Sequence, residues 1–161
     1  MGGSRENSAV RVLGLGNDLL ADDAFGLRVA RKIEERFGES AEVIRSSVSG
    51  LHLLEQVLGT ERLIVVDTVI TGDCPPGTVR VFAAGDARAA RGGSPHTIGL
   101  FDALEVARGA GLAVPREISV VAVEAADCTT IGGAMHPAVE AAVAKAVAIA
   151  SCLIRKEGPS A

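Results

Sequence analysis

The chain has no tryptophan, no tyrosine and only four phenylalanines among its 161 residues. A core without aromatic bulk must be built from Val, Ile, Leu and Ala, which is how a parallel sheet covered on both faces reads. Cysteine is scarce: Cys74, Cys128 and Cys152 lie far apart and are odd in number. No CxxC pair occurs, which excludes a zinc ribbon or a disulfide framework and predicts reduced thiols in a cytoplasmic protein. Basic charge is not in excess. With 16 Lys and Arg against 20 Asp and Glu, the net charge is −4. The signs are mixed along the chain, so no nucleic-acid partner is expected. Long apolar runs are also missing near the start. The run after residues 1–8 breaks at Gly14 and Asn17, so it is neither a signal peptide nor a membrane span. Neither HExxH nor GxSxG is present, which excludes a thermolysin-like metalloprotease and an α/β-hydrolase.

What is present is 48% hydrophobic residues, enough for one domain with a single sizeable core. Residues 1–8 are polar and expected to be disordered, 9–156 to form the domain, and 157–161 to be a flexible tail. A first strand is read over 10–15. Phe25, Val29, Ile33 and Phe37 recur every four residues and predict a helix over 23–37 stopped by Gly38. A strand at 41–45, a helix at 51–58 closed by Gly59, and strands at 62–67 and 78–83 follow. Residues 84–95, rich in Ala, Gly and Arg, form the longest connection and are expected to be mobile. A helix over 97–108, a strand over 118–123 and a helix over 137–154 complete the chain. That last stretch is alanine-rich but interrupted by Glu140, Lys145 and Ser151, which predicts an amphipathic helix facing the core. The order β-α-β-α-β-β-α-β-α predicts an α/β fold: a single three-layer domain whose twisted, mostly parallel sheet of about five strands carries helices on both faces.

Three segments bring polar chemistry to the carboxyl ends of those strands, where open α/β sheets keep their ligands. The run Leu13-Gly14-Leu15-Gly16-Asn17-Asp18-Leu19-Leu20-Ala21-Asp22-Asp23-Ala24-Phe25-Gly26 leads from a strand through two glycines to two adjacent acids. Helix capping and ligation are equally open for those acids, although capping needs only one of them. Leu63-Ile64-Val65-Val66-Asp67 is a buried-type strand ending in an acid. Ser94-Pro95-His96-Thr97-Ile98-Gly99-Leu100 carries a histidine to a helix start. If Asp23, Asp67 and His96 meet, two carboxylates and an imidazole form a metal-binding constellation. His52 and His136 are expected to be structural or solvent-facing. Gly132-Gly133 is expected to mark positive-φ backbone. Gly14-x-Gly16 fails as a dinucleotide fingerprint, because Leu19 occupies the third glycine position and no acid ends the second strand.

The same segments resemble the nickel–iron hydrogenase maturation endopeptidases. Gly14 to Gly26 is similar to their G-x-G-N-x-L-x-x-D-[DE]-x-x-G signature. Gly50-Leu51-His52-Leu53-Leu54, the strand ending in Asp67, Pro76-Gly77-Thr78, Ser94 to Leu100, and Gly133-Ala134-Met135-His136-Pro137-Ala138-Val139 resemble further family segments, in order and at similar spacing. The resemblance implies an aspartyl-type or metal-dependent endopeptidase that removes the C-terminal extension of a hydrogenase large-subunit precursor. Nickel, carried by the precursor, would be recognised by Asp23, Asp67 and His96. A cytoplasmic monomer with no membrane partner is expected. The chain departs from the family in two places. Arg45-Ser46-Ser47-Val48 stands where an Asp-Gly-Gly-Thr-type loop is common, and His136 replaces Ser or Thr. Arg45 leaves a second reading open, a non-catalytic metal-sensing chaperone or inspection factor of the same fold. A small-molecule enzyme would instead require a deep, enclosed pocket.

Overall fold

The computed structural model describes residues 10–84, 86 and 95–156. The expectations for 1–8, for 157–161 and for most of the 84–95 connection lie outside those residues. The strands are β1 (Val10–Leu15), β2 (Glu42–Ser46), β3 (Arg62–Val69), β4 (Val79–Ala83) and β5 (Glu117–Glu124). The helices are α1 (Phe25–Phe37), α2 (Leu54–Val57), α3 (Pro95–Gly109) and α4 (Pro137–Arg155). The strands form one sheet in the order β2-β1-β3-β5-β4, parallel except for β4, which runs antiparallel to β5. The α/β expectation therefore holds.

Strand periodicity splits the core into two. Val10, Val12, Ile64, Val66, Val121 and Val123 face α1 and α4, while Leu13, Leu15, Leu63, Val65, Val120 and Ala122 face α2 and α3. α4 is 19 residues long, with a mean hydropathy of 1.7, long and apolar enough to cross a membrane by composition. Here its Val139, Val143, Ala146, Val147 and Ala150 stripe is buried in the core with α1, as the interrupting polar residues predicted.

Three boundaries differ from expectation in ways that matter. The 23–37 helix opens two residues early as a 3-10 turn, Ala21–Ala24, and becomes α-helical only at Phe25, so both acids precede α1. The 51–58 helix is a 3-10 turn, Gly50–Leu53, followed by one α turn. It ends where Gly59 predicts, with the Arg11 guanidinium donating to the carbonyls of Gln56 and Leu58. β3 continues two residues past Asp67 because β5 still pairs with it there, Asp67 opposite Ala122 and Val69 opposite Glu124. The pairing of β1 with β3 ends earlier, at Gly14 opposite Val66. Asp67 is thus the first β3 residue past its ladder with β1, at the point where the strand order reverses.

Glycines bring α1 close enough to serve this edge. A Cβ on Gly26 would collide with the carbonyl oxygens of Leu15 and Val66, and one on Gly14 with the Gly26 carbonyl. The Gly14-x-Gly16 pair therefore serves helix–strand contact, not phosphate binding.

Candidate active site

Each acid of the Asp22-Asp23 pair has its own environment. Neither caps a helix, since the residues at the cap positions, Leu20 and Ala24, have no side-chain cap bond. Asp22, fully buried, accepts the backbone N–H groups of Ala126 (2.8 Å), Asp127 (2.9 Å) and His136 (2.6 Å). It pins the β5–α4 loop to the start of α1. Asp23 turns the other way, into the crevice between β1 and β3. The bend is tight: the Asn17 N–H donates to the Asp23 carbonyl at 3.2 Å, and Ala21 has φ +32°, a left-handed value for a non-glycine residue.

Asp23, Asp67 and His96 converge. His96 Nε2 lies 3.7 Å from Asp23 Oδ2, an ion-pair contact rather than a direct hydrogen bond. The His96 pKa is raised above its ordinary 6.5. Interaction with the Asp23 carboxylate is the largest cause. Burial opposes it, and the charges of Asp67 and Asp23 and a backbone hydrogen bond with Val48 add to the rise. Asp67 is fully buried and tightly held. Its Oδ1 accepts the Thr68 N–H at 2.8 Å and its Oδ2 the Thr97 hydroxyl at 2.7 Å.

Two threonines that the sequence did not single out close this arrangement into a ring. Thr68 follows Asp67 and donates its hydroxyl to Asp23 Oδ1 at 3.3 Å. Thr97 follows His96 and holds Asp67. Each of the two carboxylates is thus oriented by the residue that follows another member of the site, and His96 faces Asp23 itself. Their one sequence signal is position, a hydroxyl directly after a candidate ligand. Cys128 was missed as well. Its thiol donates to Thr68 Oγ1 at 3.5 Å. Burial pushes its pKa up to about 11, the Thr68 contact lowers it, and Asp23, Asp22 and Asp67 raise it further. A neutral thiol makes a poor nucleophile. Among the described residues no three His, Cys, Asp or Glu side chains are gathered closely enough to hold a metal ion unaided.

The remaining candidates fall outside this ring. His136 caps α4, its Nδ1 accepting the Ala138 N–H at 3.2 Å, and His52 is solvent-exposed. Of the two adjacent glycines, Gly132 has positive φ (+69°) and Gly133 does not. Arg45 pairs with Glu34 at 3.4 Å on the rim of a cleft of about 280 Å³ lined by Asp18, Leu27, Arg45, Ser46 and Ser47.

A family model described as hydrogenase maturation protease matches residues 27–152. The hydrogenase expression/formation protein HupM of Azotobacter chroococcum mcd 1 is 33% identical, covering 98% of this chain and 76% of that protein. The hydrogenase 2 maturation protease of Escherichia coli K12 is 29% identical over 94% of both. Among solved structures, the hydrogenase maturating endopeptidase HybD from E. coli matches with a TM-score of 0.80 and 28% identity over 91% of each chain. HybD from Thermococcus kodakarensis, a NiFe hydrogenase maturation protease, matches with a TM-score of 0.72 and 27% identity over 91% of this chain and 99% of that one. The chain belongs to the hydrogenase maturation protease family and is a peptide-bond hydrolase.

Proposed function

We propose that this protease removes the C-terminal extension of a nickel–iron hydrogenase large-subunit precursor after nickel insertion, reading the substrate-borne nickel with Asp23, Asp67 and His96. The convergence of those three side chains at the point where the strand order reverses carries the reading. Carboxylate oxygen and imidazole nitrogen suit a borderline divalent ion. Few protein donors leave coordination positions for thiolates or water brought with the substrate. Asp67 is already held at both oxygens, so Asp23 Oδ2 and His96 Nε2, facing each other, are the most approachable donors. An ion seated there supplies Lewis-acid polarisation of a nearby carbonyl or water. The chain itself orients the carboxylates through Thr68 and Thr97, and the neutral Cys128 thiol speaks against a cysteine nucleophile. Three free thiols are in keeping with a reducing, cytoplasmic location.

The test is incubation of the purified protein with nickel-loaded and nickel-free precursor, reading the mass of the C-terminus. Loss of the extension from the loaded precursor alone supports nickel-gated cleavage. Cleavage of both forms removes the nickel gate. Stable complex formation without cleavage returns the inspection-factor reading. Asp23→Ala, Asp67→Ala and His96→Ala should each give a folded protein that fails to process, and normal processing by His96→Gln would overturn the ligand role.

A further inference from the structure

The cleft of about 280 Å³ lined by Asp18, Leu27, Arg45, Ser46 and Ser47 adjoins the candidate site. Backbone bonds tie both of its loops to the site residues. On one side the Gly16 N–H donates to the Ser46 carbonyl at 3.1 Å, and Asn17, the neighbour of Asp18, donates its N–H to the Asp23 carbonyl at 3.2 Å. On the other, Val48, the neighbour of Ser47, makes a backbone hydrogen bond with His96, and its own N–H donates to Ser46 Oγ at 3.3 Å. The same loop leads to Gly50, which packs on the first turn of α3: a Cβ on Gly99 would lie 3.0 Å from the Gly50 nitrogen. A peptide lying over Asp23 and His96 therefore has Arg45 within a few residues of extended chain.

Arg45 is placed to bind a partner rather than to brace the fold. Its side chain is 48% exposed, and its contact among the described residues is one nitrogen 3.4 Å from Glu34 Oε2, itself on a half-exposed side chain. Exposed pairs of this kind hold weakly, and a guanidinium carries five N–H donors. The planar fork suits a carboxylate, which takes two parallel N–H bonds where Glu34 offers a single contact. Ser47 is exposed and adds a hydroxyl donor. We propose that Arg45 is a specificity residue that binds a carboxylate of the protein substrate beside the bond that is cut. The incoming carboxylate exchanges with Glu34. Asp18, the other charged lining residue, opposes a second acid and limits the cleft to one. The inference rests on the proposed reading that Asp23 and His96 face the cleavage point. The carboxylate belongs either to an acidic side chain near the junction or to the C-terminus of the extension, and the chemistry that recognises it is the same.

The test measures the binding of nickel-loaded precursor and, separately, its processing by the full chain. Arg45→Gln should raise the half-saturating precursor concentration about tenfold or more and leave the maximal rate within about twofold. Glu34→Gln and Asp18→Asn each remove a competing negative charge and should lower it. A rise with Glu34→Gln that matches Arg45→Gln makes the pair a brace between α1 and β2 and overturns the inference. Unchanged half-saturation in Arg45→Gln, with wild-type processing intact, overturns the carboxylate contact alone. The source of the carboxylate is read from the precursor. Changing the junction acids to their amides one at a time, or displacing the terminal carboxylate with added glycines, should make one precursor insensitive to Arg45→Gln and so identify the group. Sensitivity that survives every such change overturns the inference. Wild-type protein whose binding depends on Arg45 but which never cuts overturns the proposed function and leaves the carboxylate contact standing.

Discussion

The Asp22 carboxylate accepts the backbone N–H of His136 at 2.6 Å, joining residues 114 positions apart. With the Ala126 and Asp127 N–H groups it carries three such bonds, and no water reaches it. Asp22→Ala would leave three donors without their acceptor at the start of α4. A loss of about 2–4 kcal/mol is expected in urea unfolding. Asp23→Ala removes one hydroxyl contact and one histidine contact, so it should cost less stability and abolish processing. Equal destabilisation by the two variants would contradict the division of labour.

The threonine ring predicts losses of activity without losses of fold. Thr68→Val removes one hydroxyl bond from Asp23 Oδ1 and Thr97→Val removes one from Asp67 Oδ2, each with little change in shape. Processing should fall about 10–100-fold in each. Thr68→Ser and Thr97→Ser keep the hydroxyl and should restore most of it. Failure of serine to rescue would point to packing of the methyl group instead.

Glu124, the last residue of β5, contributes to acid stability. Burial raises its pKa, but the Gly72 and Thr71 N–H groups, the Thr71 hydroxyl and Arg80 together bring it below the ordinary 4.5. A carboxylate with a depressed folded pKa adds stability that is fully present above its unfolded pKa. That stability is lost as pH falls through the folded value. Glu124→Gln should therefore be less stable than wild type by about 2–3 kcal/mol above pH 4.5. The two unfolding curves should converge on acidification below it. A gap that persists at low pH would rule out the carboxylate charge as its source.

Two glycines should answer oppositely to alanine. Gly26→Ala places a methyl group on the Leu15 and Val66 carbonyls and forces α1 away from the sheet, at a cost of about 1–3 kcal/mol or more. Gly109 ends α3 with open space around it, so Gly109→Ala should be neutral or stabilising by up to about 1 kcal/mol. Thermal unfolding of both variants checks the pair.

The elements and their order were legible because apolar period and glycine punctuation are local properties. Phe25, Val29 and Ile33 declare a helix face whatever lies beneath it. Asp23, Asp67 and His96 were legible for a related reason, since strand-to-loop transitions in an α/β chain all deliver to one edge. The 51–58 segment ends where its glycine predicts, but its first half is a 3-10 turn and only one α turn follows, a choice that apolar period does not resolve in so short a stretch.

The sequence by itself determined the layered α/β fold and the set of polar residues at the carboxyl edge, since both follow from periodicity along the chain. The family resemblance selects Asp23 over Asp22, and tertiary structure supplies the reason. The donors that claim Asp22 lie more than a hundred residues away, and no local pattern announces them. Tertiary structure also decided that Thr68, Thr97 and Cys128 belong to the site, because a hydroxyl or thiol gains its role from what stands across from it. The same holds for Asp67, which lies inside a strand yet is paired only on its β5 side, because the β1–β3 ladder ends one residue earlier.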